Sequence, residues 1–362
     1  MKTGILTFHD CINYGALLQA YALWKTAGRL TGAAEVIDYK NPRITTRMQI
    51  ERDLKDRSVK GIAKRMLTVP FRQRKNALFE EFAKKQGMLS AQSYDRQTVE
   101  QCDGEYDAIL FGSDQIWNLT LTGGDENYYG AFAKKSRKIA YAASVGGYDL
   151  ESDLARTGGM LRGFSALSTR ENRDRALIED KCGLKVRQVL DPTFLLKKEE
   201  WLALQEKIDV PQKYILLYLI SPVKEDFAYA KALGRRTGLP VLYINYSYRR
   251  EAGVKNLRAV APGQFLYLLN HAQYVVTNSF HGTALSINLE KDFYCQMPAR
   301  KEKSNVRAGE ILSRCGLEKR IVRDGDVIVP EAVENWDVVR SRLDEARASS
   351  LAHLREALEI QS

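Results

Sequence analysis

The chain has 362 residues, a hydrophobic content of 44%, a charged content of 28% and a formal net charge of +10. This length allows about two domains, and the composition is that of a globular protein with a core, which excludes a disordered or fibrous chain. No apolar run reaches the ~18 residues that a membrane-spanning helix requires, and the N-terminus lacks the apolar stretch of a signal peptide.

The five cysteines indicate a reducing compartment. They lie far apart, are odd in number and include no Cys-x-x-Cys pair, so the sequence predicts neither a disulfide framework nor a zinc site. No His/Asp cluster has the spacing of metal ligands either. We therefore expect a cytoplasmic protein with no metal and no cofactor.

The first half of the chain alternates short apolar runs with segments of helical spacing. The first run, "GILTF" (Gly4–Phe8), predicts a buried strand, and "YGALLQAYALWKTAGRL" predicts the helix after it. Further strands are predicted at "AEVIDY", "YDAILFGSD", "RKIAYAAS", "SALSTRE" and "RQVLDP". This alternation predicts a mostly parallel sheet with helices on both faces.

The segment 43–86 interrupts this alternation. From Arg43 to Lys85 it contains thirteen Lys/Arg against five Asp/Glu. Four side chains give it a partial apolar stripe: Ile62, Met66, Leu67 and Phe71. One interpretation is a solvated helical insertion. The other is a surface that attracts anionic lipid headgroups or a lipid diphosphate and holds the protein at the inner face of the membrane. No motif points to nucleic acid.

The alternation restarts after Pro211, with strands predicted at "KYILLYLI", "LPVLYIN", "AQYVVTNSF" and "KDFYCQM". We predict an α/β fold of two Rossmann-like domains that face a cleft. The first covers residues 1–200, including the insertion 43–86, and the second covers 201–330. Residues 331–362 predict a C-terminal helix that docks on the domains. Its apolar face contains Trp336, Val339, Leu343, Ala346, Leu354 and Leu358.

Ligands of open α/β sheets bind beyond the carboxyl ends of the strands, so polar residues at those positions are the candidate site residues. In the second domain His281 follows a strand that ends near Ser279, and Gly282 opens the next helix. Helix N-termini favour anions, glycine admits a ligand to the backbone, and an imidazole can carry a proton at neutral pH. The structural alternative is a hydrogen-bonded histidine at a helix cap.

In the first domain Arg170 and Glu171 take the matching position. A guanidinium binds a carboxylate or phosphate with two parallel bonds; the alternative is a surface ion pair between Arg170 and Glu171 or a neighbour. Ser113 and Asp114 end another strand, where they could orient a sugar hydroxyl, while Asp114 could instead cap the following turn.

Two further groups are candidates for substrate binding. Asn13, Tyr14 and Gly15 line the turn after the first strand, which has neither a dinucleotide fingerprint nor a Walker A loop. Asn305 and Arg307 lie just inside a helix start, where Arg307 could bind an anion or be solvated.

Taken in order, these motifs resemble those of the polysaccharide pyruvyl transferase family. The likeness runs from about residue 4 to residue 320. It rests on "GILTFHDCINYGALLQAYAL", "DAILFGSDQIWN", "KIAYAASVG", "LSTRE", "VLDPTFLL", "VVTNSFHGTALSINL" and "SNVRAGEILSRCGL". The resemblance implies a GT-B-like fold and transfer of the enolpyruvyl carbons of phosphoenolpyruvate onto two hydroxyls of a sugar. The product would be a cyclic pyruvate ketal in a bacterial-type surface polysaccharide, such as a capsule or exopolysaccharide, or in its lipid-linked precursor.

The resemblance also implies that Arg170 and His281 match the donor-site residues of the family. We expect His281 to act as general acid and Arg170 to bind the donor carboxylate or phosphate. Many members carry an arginine two residues before the histidine, where this chain has Ser279. Arg307 or another basic side chain must then replace that arginine, or the donor differs.

Two other functions share much of this pattern. A GT-B glycosyltransferase that uses a nucleotide sugar would have the same fold. A non-catalytic, basic, two-lobed carbohydrate-binding protein is the second alternative. The partners expected from the preferred interpretation are phosphoenolpyruvate and a sugar or lipid-linked oligosaccharide acceptor, with no indication of oligomeric state.

Overall fold

The computed structural model describes residues 1–46, 49–50, 58–245, 251–326 and 329–360. The chain divides into two compact units. Unit 1 consists of Met1–Arg52, Phe79–Leu196 and Glu345–Ser362, and unit 2 consists of Asp53–Leu78 and Lys197–Asp344. The chain therefore passes back and forth between the units instead of completing one before starting the other.

Unit 1 is built on a parallel sheet with the strand order β3-β2-β1-β4-β5-β6-β7 in the described chain. Its strands are β1 (Lys2–Leu6), β2 (Ala33–Tyr39), β3 (Leu89–Tyr94), β4 (Ala108–Phe111), β5 (Arg137–Ala143), β6 (Ala166–Thr169) and β7 (Arg187–Gln188). The central strand β4 is buried at every position. Strands covered on both faces consist almost entirely of apolar residues, and this composition made β4 recognisable in the sequence.

Helices follow most strands of unit 1. They are α1 (Tyr14–Thr31), α2 (Val59–Gln86), α3 (Leu119–Thr122), α4 (Leu154–Leu161) and α5 (Asn172–Cys182). Helix α2 begins in unit 2 and ends in unit 1. Asn13 caps the start of α1, and Gly32 ends it in the left-handed conformation at a φ of 82°, which only glycine adopts readily.

Unit 2 has a second parallel sheet, with the order β10-β9-β8-β11-β12-β13 in the described chain. Its strands are β8 (Ile215–Tyr218), β9 (Val241–Ile244), β10 (Lys255–Leu257), β11 (Tyr274–Thr277), β12 (Phe293–Gln296) and β13 (Ile321–Val322). The helices are α6 (Lys198–Leu202), α7 (Ala228–Thr237), α8 (Pro262–His271), α9 (Phe280–Asn288), α10 (Glu302–Cys315) and α11 (Trp336–Ala357).

The predicted fold class, two parallel-sheet α/β domains, is confirmed. Three strands were not predicted from the sequence, β3, β10 and β13, and all three lie at sheet edges. Edge strands are short and partly solvated, so they lack the continuous apolar run that identifies a central strand. The middle of β3, for example, is exposed.

The observed division differs in detail from the predicted domain boundaries. The long middle segment of unit 1 ends at Leu196, whereas the predicted first domain ends at residue 200. Part of the segment 43–86 belongs to unit 2. Of the apolar stripe predicted there, Met66 and Leu67 lie outside the residues whose side chains are described, and Ile62 is exposed.

The apolar face predicted for the C-terminal helix is largely buried. Its buried members are Val339, Leu343, Ala346, Leu354 and Leu358. Trp336 is half-buried. The helix α11 contributes to both units, because the division falls after Asp344. Across the described ranges, no helix has both the length and the apolarity needed to cross a bilayer.

Candidate functional site

The carboxyl ends of the two sheets carry two groups of polar residues, and each is described within its own unit. The Arg170 cluster of unit 1 consists of Arg170, Glu171, Asp191, Asp114 and Ser113. The His281 cluster of unit 2 consists of Ser279, Phe280, His281 and Arg307.

Arg170 lies between two carboxylates. It follows β6 directly, and its Nε donates to Glu171 Oε1 at 2.8 Å while its Nη1 donates to Asp191 Oδ2 at 2.7 Å. The three residues are 6%, 3% and 1% exposed. The ion pair that the sequence offered as an alternative is therefore present, but it is buried and has a second carboxylate.

The charge of this cluster is negative. Burial alone would lower the pKa of the Arg170 guanidinium, but the Glu171, Asp191 and Asp114 carboxylates outweigh burial and raise that pKa above its ordinary value. One cation among three carboxylates leaves a formal charge of about −2. Such a cluster favours a ligand that donates hydrogen bonds over a further anion.

Asp191 connects Arg170 to the neighbouring strand ends. Its Oδ1 accepts from the backbone N–H and the hydroxyl of Thr193 at 2.9 and 2.7 Å, and its Oδ2 lies 3.4 Å from Ser113 Oγ. Ser113 is fully buried and also donates to the carbonyl of Ala142 at 2.8 Å. Asp191 was not among the predicted site residues, although it lies at the carboxyl end of the predicted strand "RQVLDP" and the same rule applies to it.

Two carboxylates of the cluster present oxygens for a further donor. The backbone carbonyl of Asp114 accepts from Ile116 and Ser144, whereas its carboxylate makes no hydrogen bond to any residue in the described ranges. Glu171 Oε2 is buried and has no hydrogen-bond partner in the same part of the chain. A sugar hydroxyl is the kind of donor that such oxygens accept.

Asp174 is an ionisable neighbour that the sequence did not indicate. It lies in the first turn of α5 and is 1% exposed. Burial, followed by repulsion from Glu171, raises the pKa of Asp174 to about 7, even though Arg173 and the backbone N–H of Val145 bind its carboxylate.

The predicted residues after the first strand have structural contacts. Asn13 Oδ1 accepts from the backbone N–H groups of Gly15 and Ala16 at 3.0 and 3.4 Å. Tyr14 is fully buried, and its ring centroid lies 4.9 Å from that of Phe79. These contacts start α1 and pack it.

His281 lies in the first turn of α9 and is 6% exposed. Ser279 caps this helix, with its Oγ accepting from the N–H of Gly282 at 3.3 Å. The imidazole meets the ring of Phe280 edge-on, with centroids 5.1 Å apart. The guanidinium of Arg307 lies 5.9 Å from the centroid of the same ring. Phe280 thus contacts both a histidine and an arginine at a helix N-terminus, which is favourable for an anion.

Gly282 has a packing role. A Cβ on this residue would lie 2.4 Å from Thr277 Oγ1 and 2.8 Å from Cδ1 of Tyr218, which is too close for any other residue. The glycine lets α9 pack on the ends of β8 and β11, and its N–H is bound by Ser279. The access of a ligand to the Gly282 backbone, which the sequence suggested, stays a prediction beside this packing role.

Asn305 also has a structural contact, because its Nδ2 donates to the carbonyl of Pro298 at 3.0 Å.

All five cysteines are free thiols. The described part of the chain contains no group of three or more His, Cys, Asp or Glu side chains that could hold a metal ion.

Comparison with known proteins relates these clusters to a family. The sequence model of the family described as "Polysaccharide pyruvyl transferase" matches residues 13–295, which include Arg170, Glu171, Ser279 and His281. No curated protein matches the chain at a significant level.

Solved structures that are similar to this chain are distant in sequence. The Staphylococcus aureus MnaA–UDP structure is 12% identical with a TM-score of 0.53, covering 100% of this chain and 98% of that one. The UDP-GlcNAc 2-epimerase of Methanocaldococcus jannaschii, in complex with UDP-GlcNAc and UDP, is 13% identical with a TM-score of 0.48, covering 97% and 93%. UGT71G1 of Medicago truncatula, complexed with UDP-glucose, is 10% identical with a TM-score of 0.45, covering 99% and 98%. The fold is GT-B-like.

Proposed function

The chain belongs to the polysaccharide pyruvyl transferase family, and from this premise we propose that it transfers pyruvate from phosphoenolpyruvate to two hydroxyls of a sugar, forming a cyclic ketal. Membership of the family makes the chain a transferase with a sugar acceptor. The observation that carries the finer proposal is the contrast in charge between the His281 and Arg170 clusters.

We assign the donor to the His281 cluster. Phosphoenolpyruvate carries a carboxylate and a phosphate, and the start of α9 together with Arg307 offers groups that bind anions. Arg307 is our candidate for the arginine that many family members carry two residues before the histidine. Ser279 occupies that position here and instead caps the helix.

We assign the acceptor hydroxyls to the Arg170 cluster. The negative charge of the cluster disfavours an anionic ligand. The carboxylate of Asp114 and Oε2 of Glu171 can instead accept hydrogen bonds from hydroxyl groups. In this assignment Arg170 holds Glu171 and Asp191 in place through its two ion pairs. The role that the resemblance gives to Arg170, direct contact with the donor, remains the alternative.

The reaction requires a proton and two hydroxyls. His281 protonates C3 of the enolpyruvyl group as the first sugar oxygen bonds to C2, and a carboxylate base takes the proton of that hydroxyl. The second hydroxyl then bonds to C2, its proton leaves with the phosphate, and the ketal ring closes. A positioned general acid of this kind contributes roughly 10²- to 10⁴-fold to the rate.

The decisive experiment is a donor panel. The protein is incubated with candidate glycans and either phosphoenolpyruvate or nucleotide sugars, and products are scored by phosphate or nucleotide release and by mass. Phosphate release with the mass gain of a pyruvate ketal supports the proposal. Nucleotide release with the gain of a sugar residue refutes it in favour of a glycosyltransferase.

The finer identity of the acceptor is also a proposal: a glycan of a surface polysaccharide or its lipid-linked precursor, reached at an anionic membrane surface. The basic excess in the segment 43–86 supports it. Sedimentation with vesicles should then increase with anionic lipid content and fall as salt rises. Sedimentation independent of anionic lipid would exclude membrane attraction.

A further inference from the structure

One lysine of the basic segment is buried instead of solvated. Lys75, in α2, is 1% exposed, whereas Arg74, Lys84 and Lys85 of the same helix are exposed. The part of α2 that contains Lys75 belongs to unit 2. The insertion therefore does more than add positive charge to the surface, because one of its ammonium groups is buried.

Lys75 reaches the carboxyl edge of the unit 2 sheet. Its Nζ lies 3.4 Å from the carbonyl oxygen of Asn245, the residue immediately after β9. The same ammonium lies 5.6 Å from the ring centroid of Phe71. Asn245 is itself fixed, because its N–H donates to Leu257 and its side-chain amide donates to Asn256.

This is the edge from which His281 extends. Strand β9 neighbours β8, and β8 neighbours β11, all in parallel, so the carboxyl ends of the three strands lie along one edge. Neighbouring strands are about 4.8 Å apart, which separates the ends of β9 and β11 by roughly 10 Å. Asn278, after β11, binds the backbone N–H of Ile220, after β8, at 2.7 Å and ties these ends together.

An ammonium in this position is costly to the fold. Removing a cation from water is unfavourable, and burial lowers the pKa of Lys75 to about 7. Even buried ion pairs can often be replaced by apolar side chains of similar size with a neutral or stabilising effect, so burial of charge by itself adds little to stability. A cation that is retained at this cost, at the sheet edge where ligands of α/β proteins bind, indicates use by a ligand.

We propose that Lys75 is a substrate-binding residue that contacts an anionic group, phosphate or carboxylate, of the donor at the unit 2 sheet edge. This inference rests on the proposed function, because the donor is taken to be phosphoenolpyruvate. Lys75 and Arg307 together would then supply the positive charge that Ser279 does not.

The test compares Lys75→Met with the matched control Lys84→Met, an exposed lysine of the same helix. Calorimetry measures the binding of phosphoenolpyruvate and, separately, of inorganic phosphate, and thermal unfolding measures stability. We expect Lys75→Met to keep or raise the unfolding temperature and to bind phosphoenolpyruvate at least about tenfold more weakly, a loss of about 1.4 kcal/mol. Lys84→Met should change neither quantity. Weaker phosphate binding in Lys75→Met would identify the phosphate as the contacted group, and unchanged phosphate binding would identify the carboxylate.

Three outcomes are informative against the proposal. If Lys75→Met binds phosphoenolpyruvate like the wild type, the lysine does not contact the donor. If both Lys75→Met and a second neutral variant, Lys75→Gln, fail to fold, the ammonium is a structural group and the proposal is wrong. If the wild type itself neither binds phosphoenolpyruvate nor releases phosphate, the proposed function is wrong, and the role of Lys75 in donor binding is wrong with it.

Discussion

The Arg170 and His281 clusters each lie at the carboxyl ends of the strands in their own sheet but have opposite electrostatic character. Arg170 is paired with Glu171 and Asp191 at 2.8 and 2.7 Å, so its charge is already more than compensated. His281 and Arg307 both contact an uncharged ring, Phe280, at the start of a helix. Position at a strand end therefore identifies a candidate residue, but the neighbouring charges decide which ligand it can bind.

This difference separates two kinds of contribution. A residue whose partners are carboxylates acts first on the fold, and its substitution should be visible in stability. A residue at a helix N-terminus beside an aromatic ring can lose its function while the fold survives. Each prediction below tests one side of this comparison.

The largest effect is expected for His281→Ala. Loss of the general acid should reduce turnover by roughly 10²- to 10⁴-fold, measured as phosphate release from phosphoenolpyruvate. The unfolding temperature should change much less than turnover, because the Ser279 cap at the start of α9 does not involve the imidazole. The control is His271→Ala, an exposed histidine stacked on Tyr267, which should retain activity. A fully active His281→Ala would remove this residue from the chemistry.

Arg170→Met should act mainly on stability. The change leaves three carboxylates without their shared cation, and breaking a buried ion pair costs about 3–5 kcal/mol of the free energy of unfolding. Urea unfolding measures this loss. The control Arg175→Met removes a partly exposed (i, i+4) pair with Glu179 and should cost at most about 0.5 kcal/mol. A stable Arg170→Met protein that cannot bind phosphoenolpyruvate would show that Arg170 contacts the donor directly.

Arg307→Ala should weaken the donor complex. Losing one charged contact to an anion should raise the KM for phosphoenolpyruvate about tenfold, or about 1.4 kcal/mol, with a smaller change in kcat. Steady-state kinetics at constant ionic strength measure both constants. Arg314→Ala, an exposed arginine of the same helix, is the matched control. Equal KM values in the two variants would restrict Arg307 to its contact with Phe280.

The last prediction concerns the pH dependence of unit 1. The pKa of Asp174 is raised to about 7 in the folded chain, whereas an unfolded aspartate has a pKa near 3.9. The folded state thus binds the proton of the Asp174 carboxyl group more tightly than the unfolded state does. Protonation therefore stabilises the fold fully below about pH 4, and this contribution is lost as the pH rises through about 7. The unfolding temperature of Asp174→Asn should therefore fall less between pH 5 and pH 8 than the unfolding temperature of the wild type. Parallel curves would contradict the raised pKa.

The sequence predicted the parts of this molecule that depend on local composition. Buried central strands such as β4 consist of apolar residues, and the residues after them, including Arg170 and His281, follow from the parallel topology. Contacts between residues that are distant in the chain could not be predicted from the sequence. The pairing of Arg170 with Asp191 and the approach of Lys75 to Asn245 depend on tertiary packing. Lys75 looks the same in the sequence as its solvated basic neighbours.

The last helix gives unit 1 an unusual dependence on the end of the chain. Arg347 Nε donates to the carbonyl of Phe194 at 2.6 Å, Ser350 Oγ accepts from Leu190 N–H at 3.0 Å, and Leu354 is fully buried. During synthesis the N-terminal residues emerge first, yet unit 1 lacks these contacts until Leu354 has left the ribosome. Nascent chains that stall before Glu345 therefore have a first unit open to proteases, and removal of α11 would damage residues that were translated much earlier.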